Sequence, residues 1–322
     1  MKSYNEFVEH VRDEIRDLLP EEYRGVEIET RRIDKLQDAG YYGLFVKPED
    51  SNIGVSLDLT GEYKKLNDGF TYPAVMYSIA DLILQSLESR SEIDTLELSN
   101  YEQMKTKLMI QVIPTEKNAE ILADIPHRNV EDLSLVYRFV LNAGKNGQAS
   151  ALATNGMLEN FGISPEQLHA DAMENAPKAF PPSIKTMQEV MAQMLEIEPE
   201  ELPAVNIDMY MMTCNGGLNG AGCIFYPGIL DEAAEVMAGS FYILPSSVHE
   251  VLLIPDKSDT GSEELEAMVR QINEAEVAPE DRLSDTVYHY DARERKFERA
   301  KAYEERAAAA VKNAPEREEG GR

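Results

Sequence analysis

Apolar residues open the chain at helical spacing, with Phe7, Val8, Val11, Ile15, Leu18 and Leu19 on one predicted face. Ser3-Tyr4-Asn5-Glu6 stands before them as a capping box, and Pro20 ends the run. Three strand-like runs follow at 26–33, 41–46 and 53–59, punctuated by Gly40, Pro48 and Asn52, which predicts an antiparallel meander. Residues 75–87 return to helical spacing. Helix, meander and helix together read as one α+β unit.

The middle of the chain predicts a helix over 101–108, a strand over 109–113, a buried strand over 133–141 and another around 150–154. A turn at 143–147 joins the last two. Ser164-Pro165-Glu166-Gln167 is a helix start, with a capping hydroxyl, proline at the first helical position and glutamine at the third. Leu168, Ala172 and Met173 form its expected buried face, and Pro177, Pro181 and Pro182 are expected to break it. Residues 184–195 read as helix and 196–203 as a surface link.

The last third predicts strands at 207–214 and 221–226 around the Gly/Asn turn 215–220, then a helix at 229–238. Strands at 241–244 and 251–254 and a helix capped from Thr260 to Glu263 complete a ββαββα order. The buried face of that last helix is Leu265, Met268, Val269 and Ile272. Residues 287–290 add an edge strand. Residues 300–311 are Ala-rich and helix-prone but too polar to anchor themselves, and 315–322 are expected to be disordered. The fold class is α+β, with mostly antiparallel sheets and helices packed on them. The expected domains are an N-terminal unit over 1–100, a second over 101–290 and a polar tail over 291–322.

Charge narrows the function classes. The 322 residues carry a formal net charge of -28. Residues 291–322 are nearly balanced, so the excess negative charge falls on the body. Such a surface repels phosphate backbones, so no nucleic-acid binding is expected. No apolar run has the length of a membrane helix and no signal-peptide core opens the chain, so a cytoplasmic location and no membrane contact are expected. Two cysteines offer no disulfide framework.

Candidate chemistry gathers in 240–256, where two apolar runs flank a polar knuckle holding Ser246, Ser247, His249 and Glu250. A nucleophile, a base and a carboxylate can be written from these residues. Neighbours on a strand point to opposite faces, however, and no Gly-x-Ser-x-Gly elbow is present. The alternative is a hairpin whose hydroxyls bond nearby backbone. Cys214 and Cys223 flank the Gly/Asn turn without redox or zinc spacing and read as small buried apolar residues. Residues 215–222 resemble a phosphate cradle in glycine content, yet lack Lys-Ser/Thr and a following helix. The histidines lie on separate elements, with Asp171 off the helix face of His169. No metal or other cofactor is expected.

Leu244-Pro245-Ser246-Ser247-Val248-His249-Glu250-Val251, Glu266-Ala267-Met268-Val269 and the stretch from Val277 to Asp285 resemble an uncharacterised family of Gram-positive gut bacteria, the domain of unknown function numbered 5688. Tyr4-Asn5-Glu6-Phe7-Val8, Asn118-Ala119-Glu120 and Leu133-Ser134-Leu135-Val136-Tyr137 extend the likeness over nearly the whole chain. The resemblance implies carriage on mobile elements, a real fold and no catalytic residue. The favoured expectation is a non-enzymatic cytoplasmic accessory protein of a mobile element with a protein partner. The alternatives are a hydrolase or small-ligand enzyme using Ser246 or Ser247 with His249, and an acidic DNA-mimic decoy for a basic partner.

Overall fold

A computed structural model describes residues 3–33, 36, 40–49, 54–90, 100–144, 147–202, 208–257 and 261–313. The chain divides into Met1–Gln103 with Leu141–Ala149, and Met104–Val140 with Ser150–Arg322.

In the first unit, helix α1 (Tyr4–Glu14) begins at the expected capping box. The Ser3 hydroxyl accepts the Glu6 N–H at 3.3 Å and the Glu6 carboxylate accepts the Ser3 N–H at 2.8 Å. Strands β1 (Glu27–Ile33), β2 (Tyr41–Lys47) and β3 (Val55–Leu57) form the antiparallel meander in that order. Asn52 and Ile53 lie outside the described residues. Helices α2 (Thr60–Asn67) and α3 (Tyr72–Arg90) follow. Val75, Ile79 and Ile83 of α3, Val8 and Val11 of α1, and Leu44 and Val46 of β2 share one core. Glu9 accepts hydrogen bonds from the Tyr42 and Thr30 hydroxyls, which ties α1 to the sheet and holds its carboxyl below the usual range.

Helix α4 (Tyr101–Met104) leads to β4 (Leu108–Pro114), in which every residue from Leu108 to Ile113 is buried. Helix α5 (Ala119–Leu122) and strands β5 (His127–Val130), β6 (Leu133–Gly144) and β7 (Gly147–Leu152) come next, giving the order β4-β6-β5 with β7 also on β6. Helices α6 (Asn155–Phe161) and α7 (Pro165–Ala179) follow. Leu168 and Ala172 of α7 are buried as expected, while Met173 is only partly so. Pro177 does not break the helix, which runs on to Ala179. A proline ring removes one donor and crowds the carbonyl four residues back, and a single remaining turn absorbs that.

The third sheet has six strands, β8 (Ser183–Thr186), β9 (Tyr210–Thr213), β10 (Phe241–Leu244), β11 (Val251–Pro255), β12 (Tyr288–Asp291) and β13 (Lys296–Arg299). Their order is β13-β12-β10-β11-β9-β8, with every pairing antiparallel. Helices α8 (Met187–Leu195), α9 (Ile229–Met237), α10 (Ser262–Ala275) and α11 (Ala300–Asn313) complete the unit. The chain is α+β, and its last third approximates ββαββα.

Several local expectations are overturned, among them the edge placement of 287–290, since β12 lies between β13 and β10. Residues 184–186 are strand, because Thr186 and Glu189 form a capping box that starts the helix at Met187. Residues 220–225 are a 3₁₀ helix instead of the second strand of a hairpin. Ser262 is the first residue of its helix and not a cap, and its hydroxyl and N–H both bond Glu304. Thr260 lies outside the described residues.

Helix α11 is anchored despite its polarity. Tyr303 stacks on buried His289 with centroids 3.5 Å apart, and both reach Asp256 Oδ2, at 3.3 and 3.1 Å. Glu304 accepts from Ser262, and Arg306 joins Asp291, Glu298 and Glu294 at 2.9, 2.6 and 2.7 Å. Ala300 inserts into the core with Leu265 and Val269. Residues 315–322 lie outside the described residues.

This anchor is pH-sensitive. Burial lowers the His289 pKa from its ordinary 6.5, against an upward pull from Asp256, Asp291 and Glu298. The unfolded chain therefore takes up this proton first, so stability is full above pH 6.5 and falls as the pH drops toward the folded value. Burial pushes Asp291 and Glu298 up, but Arg306 with the Glu294 and Arg293 N–H groups at Asp291, and Lys296 with Arg306 at Glu298, together outweigh it and hold both below their ordinary 3.8 and 4.5. Their contribution is present above those values and lost as the pH falls through the folded ones. The thermal midpoint should decline in both windows. His289→Phe should flatten the first decline and Arg306→Gln the second, and unchanged pH profiles would contradict this anchor.

Candidate functional site

Residues 245–250 connect β10 to β11, but they are not an isolated hairpin turn. They pair with the segment 281–284 of the same unit. Val248 N–H donates to Asp281 O at 2.8 Å, Leu283 N–H to Ser246 O at 3.2 Å and Ser284 N–H to Pro245 O at 3.0 Å. Ser247 and Arg282 form an antiparallel bridge. Ser246, Ser247 and Val248 are buried by this pairing.

The candidate residues are used locally. Ser247 Oγ accepts the His249 backbone N–H at 3.0 Å, the short hydroxyl turn that serine favours. His249 Nδ1 accepts the Asn219 N–H at 3.1 Å, so the ring proton sits on Nε2, 3.2 Å from Asp281 Oδ1. Both ring nitrogens are thereby engaged, and neither faces a serine hydroxyl. Glu250, next to β11, takes no part in these contacts. The His249 carbonyl accepts the Thr213 hydroxyl at 2.7 Å and the Val248 carbonyl accepts the Ala221 N–H at 3.1 Å.

The knuckle, the glycine loop and Asp281 therefore meet at one joint. From it a polar seam continues into β4 and β6. Gln111 Nε2 donates to Asn219 Oδ1 at 3.0 Å, and Arg138 reaches Gln111 Oε1 at 3.5 Å and Ser150 Oγ at 2.9 Å. Burial lowers the Arg138 pKa, as expected for a cation among uncharged acceptors. Gln111 and Arg138 did not stand out in the sequence, and Asn219 did so only as part of the 215–222 loop, because their partners are distant in the chain.

Glycines make the joint possible. A Cβ on Gly220 would lie 2.1 Å from Thr213 Oγ1 and 2.6 Å from both the Cys214 and His249 carbonyls. One on Gly222 would lie 2.2 Å from the Ile110 carbonyl of β4. The loop is a wedge against backbone, and Gly216, Gly217 and Asn219 take positive φ within it. Cys214 and Cys223 are buried free thiols beside this wedge. Their mutual hydrogen bond lowers Cys214 and, with burial, raises Cys223. They are buried as expected, and they meet across a 3₁₀ turn.

Elsewhere, His169 Nδ1 meets the buried Tyr137 hydroxyl at 2.8 Å and His127 Nδ1 meets the Ile125 carbonyl at 3.0 Å. A cleft of about 260 Å³ is lined by Glu266, Arg270, Asp285, Thr286, Arg299 and Lys301. Its basic groups are paired already, Lys301 with Glu266 and Arg299 with Glu131 and Asp132. Among the described residues no three of His, Cys, Asp and Glu are grouped to hold a metal, and no helix is long and apolar enough to cross a membrane.

Among the described residues of this unit, the most exposed apolar surface lies on α8. Met194 is 79% exposed, Leu195 59%, Met191 38% and the following Ile197 37%. Met191, Met194 and Leu195 share a face by their three- and four-residue spacing. Only Ala192 of this helix is buried. Glu196 closes it in the left-handed conformation, φ 56°, which turns Ile197 back beside the last turn. Gln188 Nε2 donates to the Pro199 carbonyl at 2.8 Å and fastens the short turn Pro199–Glu201 to the helix. Glu196, Glu198, Glu200 and Glu201, in the segment that follows this helix, are all exposed.

A family model described as "Family of unknown function (DUF5688)" matches residues 4–292. No curated protein and no solved structure matches the chain.

Two substitutions test the joint. Gly222→Ala forces a methyl into the Ile110 carbonyl and should destabilise by about 1–3 kcal/mol in urea unfolding. Ser247→Ala should cost about 1 kcal/mol, the worth of one hydrogen bond. A neutral Gly222→Ala would show that the wedge does not press on β4.

Proposed function

The chain belongs to the family of unknown function DUF5688, and from that premise and its own surfaces we propose that it acts by binding another protein. The observation that carries this reading is the exposed Met191–Met194–Leu195–Ile197 surface. Apolar side chains gathered on one helix face are what protein interfaces bury, and methionine adapts to varied partners. The fuller form of the proposal is a non-enzymatic, cytoplasmic accessory protein of a bacterial mobile element.

Support for a non-enzymatic role comes from the knuckle. His249 already accepts from Asn219 and faces Asp281, and the Ser247 hydroxyl accepts from backbone. A general base needs a free lone pair within reach of its nucleophile. The joint serves shape instead, holding the glycine wedge in place.

Affinity capture from extracts of the producing cells tests the reading. Wild-type protein should retain a partner that Met194→Gln/Leu195→Gln loses and His249→Ala keeps. If capture depends on His249 and not on α8, or if His249→Ala abolishes an ester-hydrolysing activity, the proposal fails.

A further inference from the structure

The α8 surface has a chemistry that narrows its partner, given the reading of α8 as the binding face. Four exposed glutamates, Glu196, Glu198, Glu200 and Glu201, directly follow the helix face that carries the exposed apolar side chains. The basic residue that precedes the helix in sequence, Lys185, donates its ammonium to Gln193 Oε1 at 2.7 Å. The glutamates do not trail away from the helix. The Gln188–Pro199 hydrogen bond and the left-handed Glu196 hold the acidic turn against its end.

We infer that this surface docks an amphipathic helix with an apolar stripe and a lysine- and arginine-rich flank. The apolar stripe covers Met191, Met194, Leu195 and Ile197, while the basic flank meets the glutamate rim. Helix-in-groove recognition reads apolar anchors at three- and four-residue spacing, and unbranched methionine side chains conform to such anchors. A second copy of this chain is a poor occupant. It would place one glutamate rim against another, between molecules that each carry a net charge of -28. An acidic or uncharged helix would leave the rim without partners.

The test is fluorescence anisotropy with a labelled 18-residue Leu/Lys amphipathic peptide, beside a Leu/Glu peptide of the same pattern as control. The Leu/Lys peptide should bind saturably, weaken as salt rises, and be competed by its unlabelled form. Met194→Gln/Leu195→Gln should raise Kd by at least about tenfold. Glu198→Gln/Glu200→Gln/Glu201→Gln should raise Kd and flatten the salt dependence. Because the altered side chains are exposed, the thermal midpoint should not move.

Equal binding of the two peptides, or indifference to both sets of substitutions, overturns the inference. So does a fall in thermal midpoint for Met194→Gln/Leu195→Gln, which would mean the chain itself covers this face. A wild-type dimer by light scattering that the same variant makes monomeric would put a second copy there. If the Leu/Lys peptide fails while cellular capture still depends on α8, the partner class is wrong and the binding reading stands. If capture is also indifferent to α8, both fall.

Discussion

The second unit depends on the approach of Gly222 to the Ile110 carbonyl. That contact has no room for a side-chain carbon, since a Cβ would sit 2.2 Å from the oxygen. The wedge 214–225 is thereby seated on β4, whose residues Leu108–Ile113 are wholly buried. From this seat Asn219 can donate to His249 and accept from Gln111. The knuckle in turn pairs with 281–284, so β10, β11 and the lead-in to β12 are all registered from one close contact.

Around this joint the chain solves a problem set by its own composition. An excess of carboxylates must be held near apolar surface without repelling the fold apart. Asp132 does so by accepting from Ser284, Thr286 and Tyr288. Asp291 and Glu298, both buried, share Arg306, and Glu266 is covered by Lys301. Carboxylates that are inside are therefore hydrogen-bonded or paired, as burial of charge demands. Those left without such a role face solvent, and around α8 they become a recognition feature.

The contrast between knuckle and α8 bears on function. The knuckle has chemistry-bearing residue types, but its hydrogen-bonding capacity is turned inward. Helix α8 has no reactive group, yet its Met191, Met194 and Leu195 side chains find no cover among the described residues. A surface that keeps unspent apolar area exposes the free energy that a partner can use.

Much of the architecture was legible where local rules decide. The capping boxes at Ser3–Glu6 and Thr186–Glu189 can both be read from spacing, although the second lay inside a run of helical periodicity that hid it. The N-terminal helix and meander and the 241–244 and 251–254 strands follow from periods of 3.6 and 2. Residues 221–226 did not, because a short apolar run has the same pattern in a strand or in a buried 3₁₀ turn. The seat of Gly222 on β4 favoured the turn.

By itself, then, the sequence determined element types with strong periodicity, the α+β class, the acidic surface and the knuckle as a place of interest. Tertiary structure alone decided that Arg138, Gln111, Asn219 and Asp281 run into that knuckle and that His249 is fully engaged. It alone decided that α8 keeps Met191 and Met194 in solvent. The physical reason is range: periodicity and capping act within a few residues, whereas hydrogen-bond partners and burial are set by segments tens to a hundred residues apart.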